Sequence, residues 1–256
     1  MVWRDAATIH FACDSRLSFG ATIPADIAIK IVRDRYVIRG PDRYGVPGAV
    51  IAEGDIGMCF AGSGLGSVFL KESMTGVLGK LQAVPGHTNV CLDSIAALIF
   101  AAYKVITAKL CESLGPTGRS IFVIAAHCPA QKRPRAFEMS CDTQGQYTCD
   151  EVLIASGHVV LGSGATAAQN LIAGLGALPV SRDYLKILRS VIDDASIPGV
   201  GGSIQYGRLE KNKFQTFGVI STSEGVHYWR GALDLRDDAF ERQFVINYPY
   251  LQLDDN

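Results

Sequence analysis

Asp14 and Lys30 are the residues of this 256-residue chain whose types and spacing best suit chemistry. They stand sixteen positions apart, Asp14 within Asp14-Ser15-Arg16 and Lys30 within Ala28-Ile29-Lys30-Ile31-Val32. A lysine between two isoleucines is a charge in an apolar setting, so its ammonium must reach a partner or water. Burying a carboxylate and an ammonium is costly unless they pair, and paired polar centres of this kind are where catalysis is often found. An ammonium at Asp14 would lower the pKa of a nearby amine or hydroxyl and steady developing negative charge. Arg16, two residues beyond Asp14, would brace that site or the fold.

The elements that must position this pair can be read outward from it. Thr8, His10 and Ala12 alternate with Ile9, Phe11 and Cys13, which predicts a strand opening into a loop at Asp14. Lys30 falls in an apolar strand. Tyr36 to Arg39 and Ala49 to Ala52 predict short strands around a turn-rich insert, Gly40 to Gly48. Asp55 to Ala61 predicts a further strand, turned by Gly62 to Gly66 into a helix running to about Leu81. A second helix follows with Asn89 as its cap, Asp93 in its first turn and an apolar stripe through Ile95, Leu98, Ile99, Ala102, Val105 and Ile106. Gly115-Pro116 stops it.

Ser120 to Cys128 and Arg135 to Ser140 predict a hairpin, and Gln146 to Ala155 and His158 to Leu161 add strand or irregular structure. Helices are predicted at Ala165 to Leu175 and Ser181 to Asp194, with Ser181 as a cap. Strands at Ser203 to Leu209, Phe214 to Ile220 and Val226 to Trp229 close the chain, and the tail from Leu251 is expected to fray or lie on the surface. Helices arriving in pairs between antiparallel strands do not suit an alternating βαβ sheet. They suit an α+β fold of two stacked antiparallel sheets with a helix pair on each outer face, a four-layer αββα sandwich. With no linker, repeat or low-complexity tract, residues 1–256 are expected to form one domain.

Composition narrows the function classes. A content of 48% hydrophobic residues is ample for a large core, and a formal charge of -1 with no basic stripe argues against nucleic-acid binding. The longest apolar run, Ile95 to Tyr103, is short for a bilayer span, so no membrane association is expected. Seven cysteines at 13, 59, 91, 111, 128, 141 and 149 show no Cys-x-x-Cys spacing. They are expected to be reduced thiols of a cytoplasmic protein, mostly small core residues, and not a zinc or disulfide framework. The five histidines share no ligand spacing.

Two glycine-rich turns need separate weighing. Gly62-Ser63-Gly64-Leu65-Gly66 lacks both the Gly-Lys-Ser/Thr ending of a phosphate loop and the third glycine of a dinucleotide loop. Gly162-Ser163-Gly164 is not a nucleophile elbow, since the Gly-x-Ser-x-Gly frame is absent, and Ser163 reads locally as a helix cap.

Four segments together resemble the proteasome-type N-terminal-nucleophile (Ntn) hydrolases. They are the strand ending in Asp14-Ser15-Arg16 with Lys30 downstream, Phe60 to Gly64, Val160 to Ala165, and Val200-Gly201-Gly202-Ser203-Ile204; they cover roughly residues 6 to 210. The resemblance implies the same αββα sandwich and a threonine-type peptidase or amidohydrolase that needs no metal or organic cofactor. It also implies self-association into a homo-oligomeric ring or stacked rings. By resemblance, Gly62 N-H holds the oxyanion, where a glycine lets the backbone approach the substrate. Ser163 would hydrogen-bond near the terminal amine. Asp194 stands roughly where the family carries an acidic residue before a Ser-Gly-Gly, although Val200 replaces that serine and Ile197-Pro198-Gly199 intervenes.

In that family the nucleophile is the first residue of the mature chain, usually threonine. Counting back from Asp14 places it before Met1, by about half a dozen residues, and Thr8 lies mid-strand and is no substitute. The expectation is a hydrolase whose terminal nucleophile lies upstream of the sequence as given. The alternative is a catalytically inactive proteasome-like structural or regulatory subunit.

Overall fold

A computed structural model describes residues 1–17, 24–42, 46, 48–87, 89–177, 179–221, 226–229, 233–234 and 248–253. Part of the Gly40 to Gly48 insert and the last three residues of the tail lie outside the described residues.

The opening hairpin sets the frame. Strand β1 (Val2–Asp5) turns at Ala6 and Ala7 into β2 (Thr8–Cys13), with Val2 opposite Phe11 and Asp5 opposite Thr8. Both are buried on two faces. Val2, Ile9, Phe11 and Cys13 point into the space between two sheets, while Met1, Trp3 and Ala12 point the other way into a helix layer. This alternation with apolar groups on both sides is what a strand inside a four-layer sandwich needs.

Strands β3 (Ile31–Arg39) and β4 (Val50–Gly62) follow as a long antiparallel pair. After helix α1 (Gly64–Leu78) comes β5 (Leu81–Gln82), then helix α2 (Leu92–Leu114) and a short 3-10 turn at Gly115–Gly118. Strands β6 (Ser120–Cys128) and β7 (Arg133–Cys141) form the expected hairpin, continued by β8 (Tyr147–Val152) and β9 (Gly157–Val159). Helices α3 (Ala165–Gly174) and α4 (Ser181–Asp193) precede β10 (Gln205–Glu210) and β11 (Lys213–Ser221). Strands β12 (Val226–Trp229), β13 (Leu233–Asp234) and β14 (Tyr250–Leu253) close the chain.

One sheet runs β13-β12-β11-β10-β2-β1-β9 with β14 paired to β11, and the other runs β5-β3-β4-β6-β7-β8. The main ladders are antiparallel, and two edge pairings, β11 with β14 and β3 with β5, are parallel. Three apolar layers account for the stacking. The first joins α1 and α2 to the six-stranded sheet, through Leu70, Leu78, Ile95, Ile99, Ile56 and Phe122 among others. The second joins the two sheets, and the third packs α3 and α4 on β1, β2 and β10. The result is the α+β, four-layer αββα sandwich.

Several local expectations change. The fragments at Tyr36 to Arg39, Ala49 to Ala52 and Asp55 to Ala61 are parts of two continuous long strands, β3 and β4. Helix α2 begins after Cys91 and not at Asn89, so Asn89 is no cap. By length and composition alone, Leu92–Gly118 would suffice to cross a membrane, which the shorter apolar run in the sequence concealed. Its inward face, Leu92, Ile95, Ile99 and Tyr103, packs on the six-stranded sheet. Ser181 is the first helical residue of α4 and does not cap it. Its hydroxyl instead accepts from Trp3 Nε1 and donates to Asp5 Oδ2, both at 2.8 Å, while Asp183 Oδ2 accepts from Val180 N. Leu251 and Leu253 of the tail are in β14 and pack against the third layer.

Candidate active site

Lys30 and Asp14 meet where β2 ends and β3 begins, with Lys30 Nζ 2.8 Å from Asp14 Oδ1. Their side chains are 12% and 13% exposed, so most of this ion pair is out of water. The second carboxylate oxygen accepts from Arg16 N at 3.0 Å and Gly201 N at 3.3 Å. With Oδ1 taken by the ammonium, the carboxylate is held on both sides by charge-assisted bonds.

Gln205 fixes the backbone behind the pair. It is 2% exposed, and its Nε2 donates to Asp14 O at 3.1 Å and Ala28 O at 2.7 Å. Its Oε1 accepts from Lys30 N at 2.9 Å. One amide thus ties the loop after β2 to the start of β3, and it sits at the head of β10, whose ladder with β2 pairs Gln205 with Cys13.

Arg16 lies one shell out. Its guanidinium grips Asp26 through Nε at 2.8 Å and Nη2 at 2.9 Å, and Nη1 donates to Val200 O at 3.1 Å and Pro198 O at 3.4 Å. Hydrogen bonding to Arg16 holds the Asp26 carboxyl below its ordinary range, against a smaller opposing effect of burial. Ser15 adds a second strap, accepting from Ser203 N at 2.9 Å and donating to Asp26 O at 3.2 Å. These side chains press on a glycine turn. A Cβ on Gly201 would lie 2.1 Å from Arg16 Cζ, and one on Gly202, at φ +73°, 2.2 Å from Ser15 Oγ.

Gly62 ends β4 at φ +96°, and a Cβ there would lie 2.6 Å from Arg119 O, so the turn into α1 admits glycine only. A Cβ on Gly64 would be 3.1 Å from Leu17 Cδ2, which brings this turn against the segment that follows Arg16. Ser163 is exposed, and a Cβ on Gly199 would lie 2.5 Å from its Oγ. It does not cap α3, whose N-cap is Gly164. A Cβ on Gly162 would lie 3.3 Å from Ala61 Cβ. The turns carrying Asp14 to Leu17, Ala61 to Gly64, Gly162-Ser163 and Gly199 to Ser203 therefore converge at one end of the sandwich.

Asp194 is set apart from this group. It is exposed at the end of α4, and its Oδ1 accepts from Ser196 N at 2.9 Å.

Behind the pair lie two buried thiols, Cys13 and Cys59. The hydrogen bond from Cys59 draws Cys13 down to about 7 against the effect of burial, and the same bond followed by burial pushes Cys59 up. Beside Lys30, a cavity of about 210 Å³ is lined by Ile29, Val32, Cys59, Phe60, Val68 and Phe122. Its walls are mostly apolar, and Lys71 and Glu72 of α1, joined at 2.7 Å, supply its polar side.

Sequence reasoning singled out Asp14, Arg16 and Lys30 but missed Gln205, Ser15 and Asp26. The available signal for Gln205 was an amide flanked by Ile204 and Tyr206 where the strand after the Gly201-Gly202 turn begins. Among the described residues, no group of three or more His, Cys, Asp or Glu side chains is placed to hold a metal ion.

No family model and no curated protein matches the chain. Solved structures do match it. An Anbu Gly-1 mutant from Hyphomicrobium sp. strain MC1 is 13% identical, with 96% of this chain and 98% of that one covered at a TM-score of 0.53. Anbu, the ancestral beta-subunit, from Yersinia bercovieri is 11% identical over 84% and 85% at 0.53. Thiobacillus denitrificans BPH in complex with epoxomicin is 16% identical over 82% and 97% at 0.50. The chain has the proteasome-type Ntn-hydrolase fold. At these identities the likeness speaks for the fold alone, so the chemistry of this proteasome-like chain must be argued from its own residues.

Proposed function

We propose that this proteasome-like chain is the body of a threonine-type Ntn hydrolase acting on peptide or amide bonds. The observation that carries this is the buried Lys30–Asp14 pair at the end of β2, held on both arms by Gln205. The β1–β2 ladder adds a direction. Met1 N donates to Ala12 O at 2.8 Å, and the register pairs Val2 with Phe11. Continued past Met1, that register sets a residue opposite Cys13 and the next opposite Asp14. An attacking residue at that place would stand opposite Asp14, nearer to Met1 than a count back along the sequence suggests.

A terminal threonine at that place would present its hydroxyl to the carbonyl and use its own amine as base. Lys30, neutralised in part by Asp14, would favour the deprotonated hydroxyl electrostatically. Gly62 N-H would receive the oxyanion, and Ser163 would stand near the terminal amine. Arg16 holds the Asp14 loop against the Gly201 turn. The cavity beside Lys30 would take an apolar side chain of the substrate, which predicts a preference for cleavage next to such residues.

Self-association belongs to the same proposal. Helix α1 exposes Leu65, Val68 and Phe69 by half or more of their surface, an apolar patch suited to burial between subunits of a ring. Free thiols suit a cytoplasmic setting.

A second reading is a proteasome-like subunit without activity. It is favoured by Asp194, which faces solvent and engages Ser196 instead of the site. The two separate in one experiment. The protein isolated from its native source is offered fluorogenic peptides with apolar residues before the cleaved bond, and is incubated with epoxomicin, the compound held by the BPH structure. Hydrolysis that Lys30→Ala abolishes, with an epoxomicin adduct on the terminal residue, supports the hydrolase. No turnover and no adduct would leave the inactive subunit.

A further inference from the structure

Cys91 and Cys128 bring two sulfur atoms to 3.5 Å at the start of α2, far from the Lys30 pair and unused by the proposed hydrolysis. Cys91 is the N-cap residue of α2 but makes no side-chain cap bond. Cys128 ends β6 and is fully buried, while Cys91 is half-buried at the edge of the same core cluster.

The surroundings of the two thiols differ. Cys128 Sγ accepts from Leu92 N at 3.4 Å and Gln131 N at 3.5 Å, so the first amide of α2 and a turn amide both point at it. Burial alone would raise this thiol, but the backbone donors outweigh it and its pKa lies below the ordinary value. Cys91 donates to Asp93 Oδ2 at 2.7 Å, and burial followed by that bond raises it. Arg135 Nη1 stands 3.5 Å from Cys91 Sγ, ready to steady negative charge there. An outer sulfur within reach of solvent beside an inner sulfur that backbone amides favour as thiolate is an arrangement suited to exchange, since the inner thiolate can attack once the outer sulfur is modified.

The geometry points to a thiol–disulfide site at Cys91 and Cys128 that takes low-molecular-weight disulfides as co-reactant. Cys91, the sulfur nearer solvent, attacks a disulfide RS–SR through its minor thiolate form, which Arg135 Nη1 at 3.5 Å would steady. An S–S bond forms to one RS group, and the other leaves as RS⁻ with the proton that Cys91 has lost. Cys128 thiolate then attacks Cys91 sulfur, the mixed disulfide breaks, and the second RS⁻ leaves to take up the remaining proton. The sum is two cysteine thiols and one RS–SR giving one Cys91–Cys128 disulfide and two RSH. The protein is oxidised by two electrons and the small disulfide is reduced by two. Closing 3.5 Å to a bond of about 2 Å asks only a small shift of the α2 start toward β6. The product ties these elements across 37 positions of chain.

The test is thiol mapping of the full chain after incubation with glutathione disulfide, acid quench, alkylation and peptide mass analysis. The expected product is a Cys91–Cys128 linked peptide that dithiothreitol reverses. In Cys128→Ser the reaction is expected to stop with glutathione on Cys91, and in Cys91→Ser Cys128 is expected to stay free. Glutathione on Cys91 without a link in the unaltered chain, no reaction at either position, or a link between other cysteines in its place would overturn the proposal. The unaltered chain gives this answer even if a serine variant fails to fold, and no hydrolytic assay enters it.

Discussion

Gln205 spans the gap between Asp14 and Lys30 by main-chain bonds alone, its Nε2 on Asp14 O at 3.1 Å and its Oε1 on Lys30 N at 2.9 Å. The ion pair's geometry is therefore set by a residue 175 positions from Lys30 that touches neither charged group. Gln205→Leu would keep the volume and leave Asp14 O, Ala28 O and Lys30 N without their partner. Each buried orphan costs about 1–3 kcal/mol, so a loss on the order of 3 kcal/mol is expected in denaturant unfolding. Faster amide exchange at Lys30 is the local sign. A loss below about 0.5 kcal/mol would show that the strap is incidental.

The glycine turn gives a graded comparison. Gly202→Ala combines a positive φ with a Cβ 2.2 Å from Ser15 Oγ, whereas Gly86→Ala has a similar φ of +83° and nothing within 4 Å. Strain of this kind costs about 1–3 kcal/mol, and only Gly202→Ala adds a clash. Unfolding measurements should rank Gly202→Ala clearly below Gly86→Ala. Equal stability would contradict the packing of Ser15 and Asp26 on this turn.

Arg135 is buried between two carboxylates, bidentate to Asp93 at 2.6 and 2.8 Å and bound to Glu151 at 2.6 and 2.9 Å. Hydrogen bonding to Arg135 pulls Asp93 down to about 2 and, as its largest cause, lowers Glu151. Carboxyl pKa values depressed by folding contribute stability that is present above about 4 and lost as pH falls toward about 2. Unfolding midpoints followed from pH 5 to 2 should fall in the unaltered chain. Arg135→Met should flatten that slope and cost about 1–2 kcal/mol at neutral pH, since half-exposed Asp93 loses its arginine while Glu151 keeps Arg133 at 3.0 Å. An unchanged slope would remove Arg135 from the account.

At the site itself, Asp14→Asn and Lys30→Ala separate catalysis from folding. If hydrolysis is present, each is expected to lower kcat at least ~100-fold, the scale of losing an electrostatic partner of the reacting group. Circular dichroism should show the sandwich retained. Full activity in Lys30→Ala would reject the assigned role.

Legibility varied along the chain for physical reasons. The β1–β2 hairpin and the Asp14 loop were readable because short-range alternation and turn chemistry decide them. Strand β4 is read as two pieces because Gly54 looks like a break, and β3 because the charged run Arg33-Asp34-Arg35 interrupts its apolar pattern. In the fold Gly54 is a close approach, where a Cβ would lie 2.9 Å from the Tyr36 hydroxyl. Asp14 and Lys30 were found as a pair because a lysine between isoleucines demands a partner. Gln205, Ser15 and Asp26 were not found, since their bonds join segments distant in sequence. Asp194 was placed by its nearness to Gly201 in sequence, and the turn through Pro198 leaves it in solvent.

The most direct test of the central claim is the N-terminal sequence and intact mass of the protein from its native source. A mature terminus at a threonine, serine or cysteine two positions before Met1, opposite Asp14 in the ladder, is the expected result. A mature terminus at Met1 would leave nothing to attack a carbonyl beside Lys30 and would contradict the proposed hydrolase.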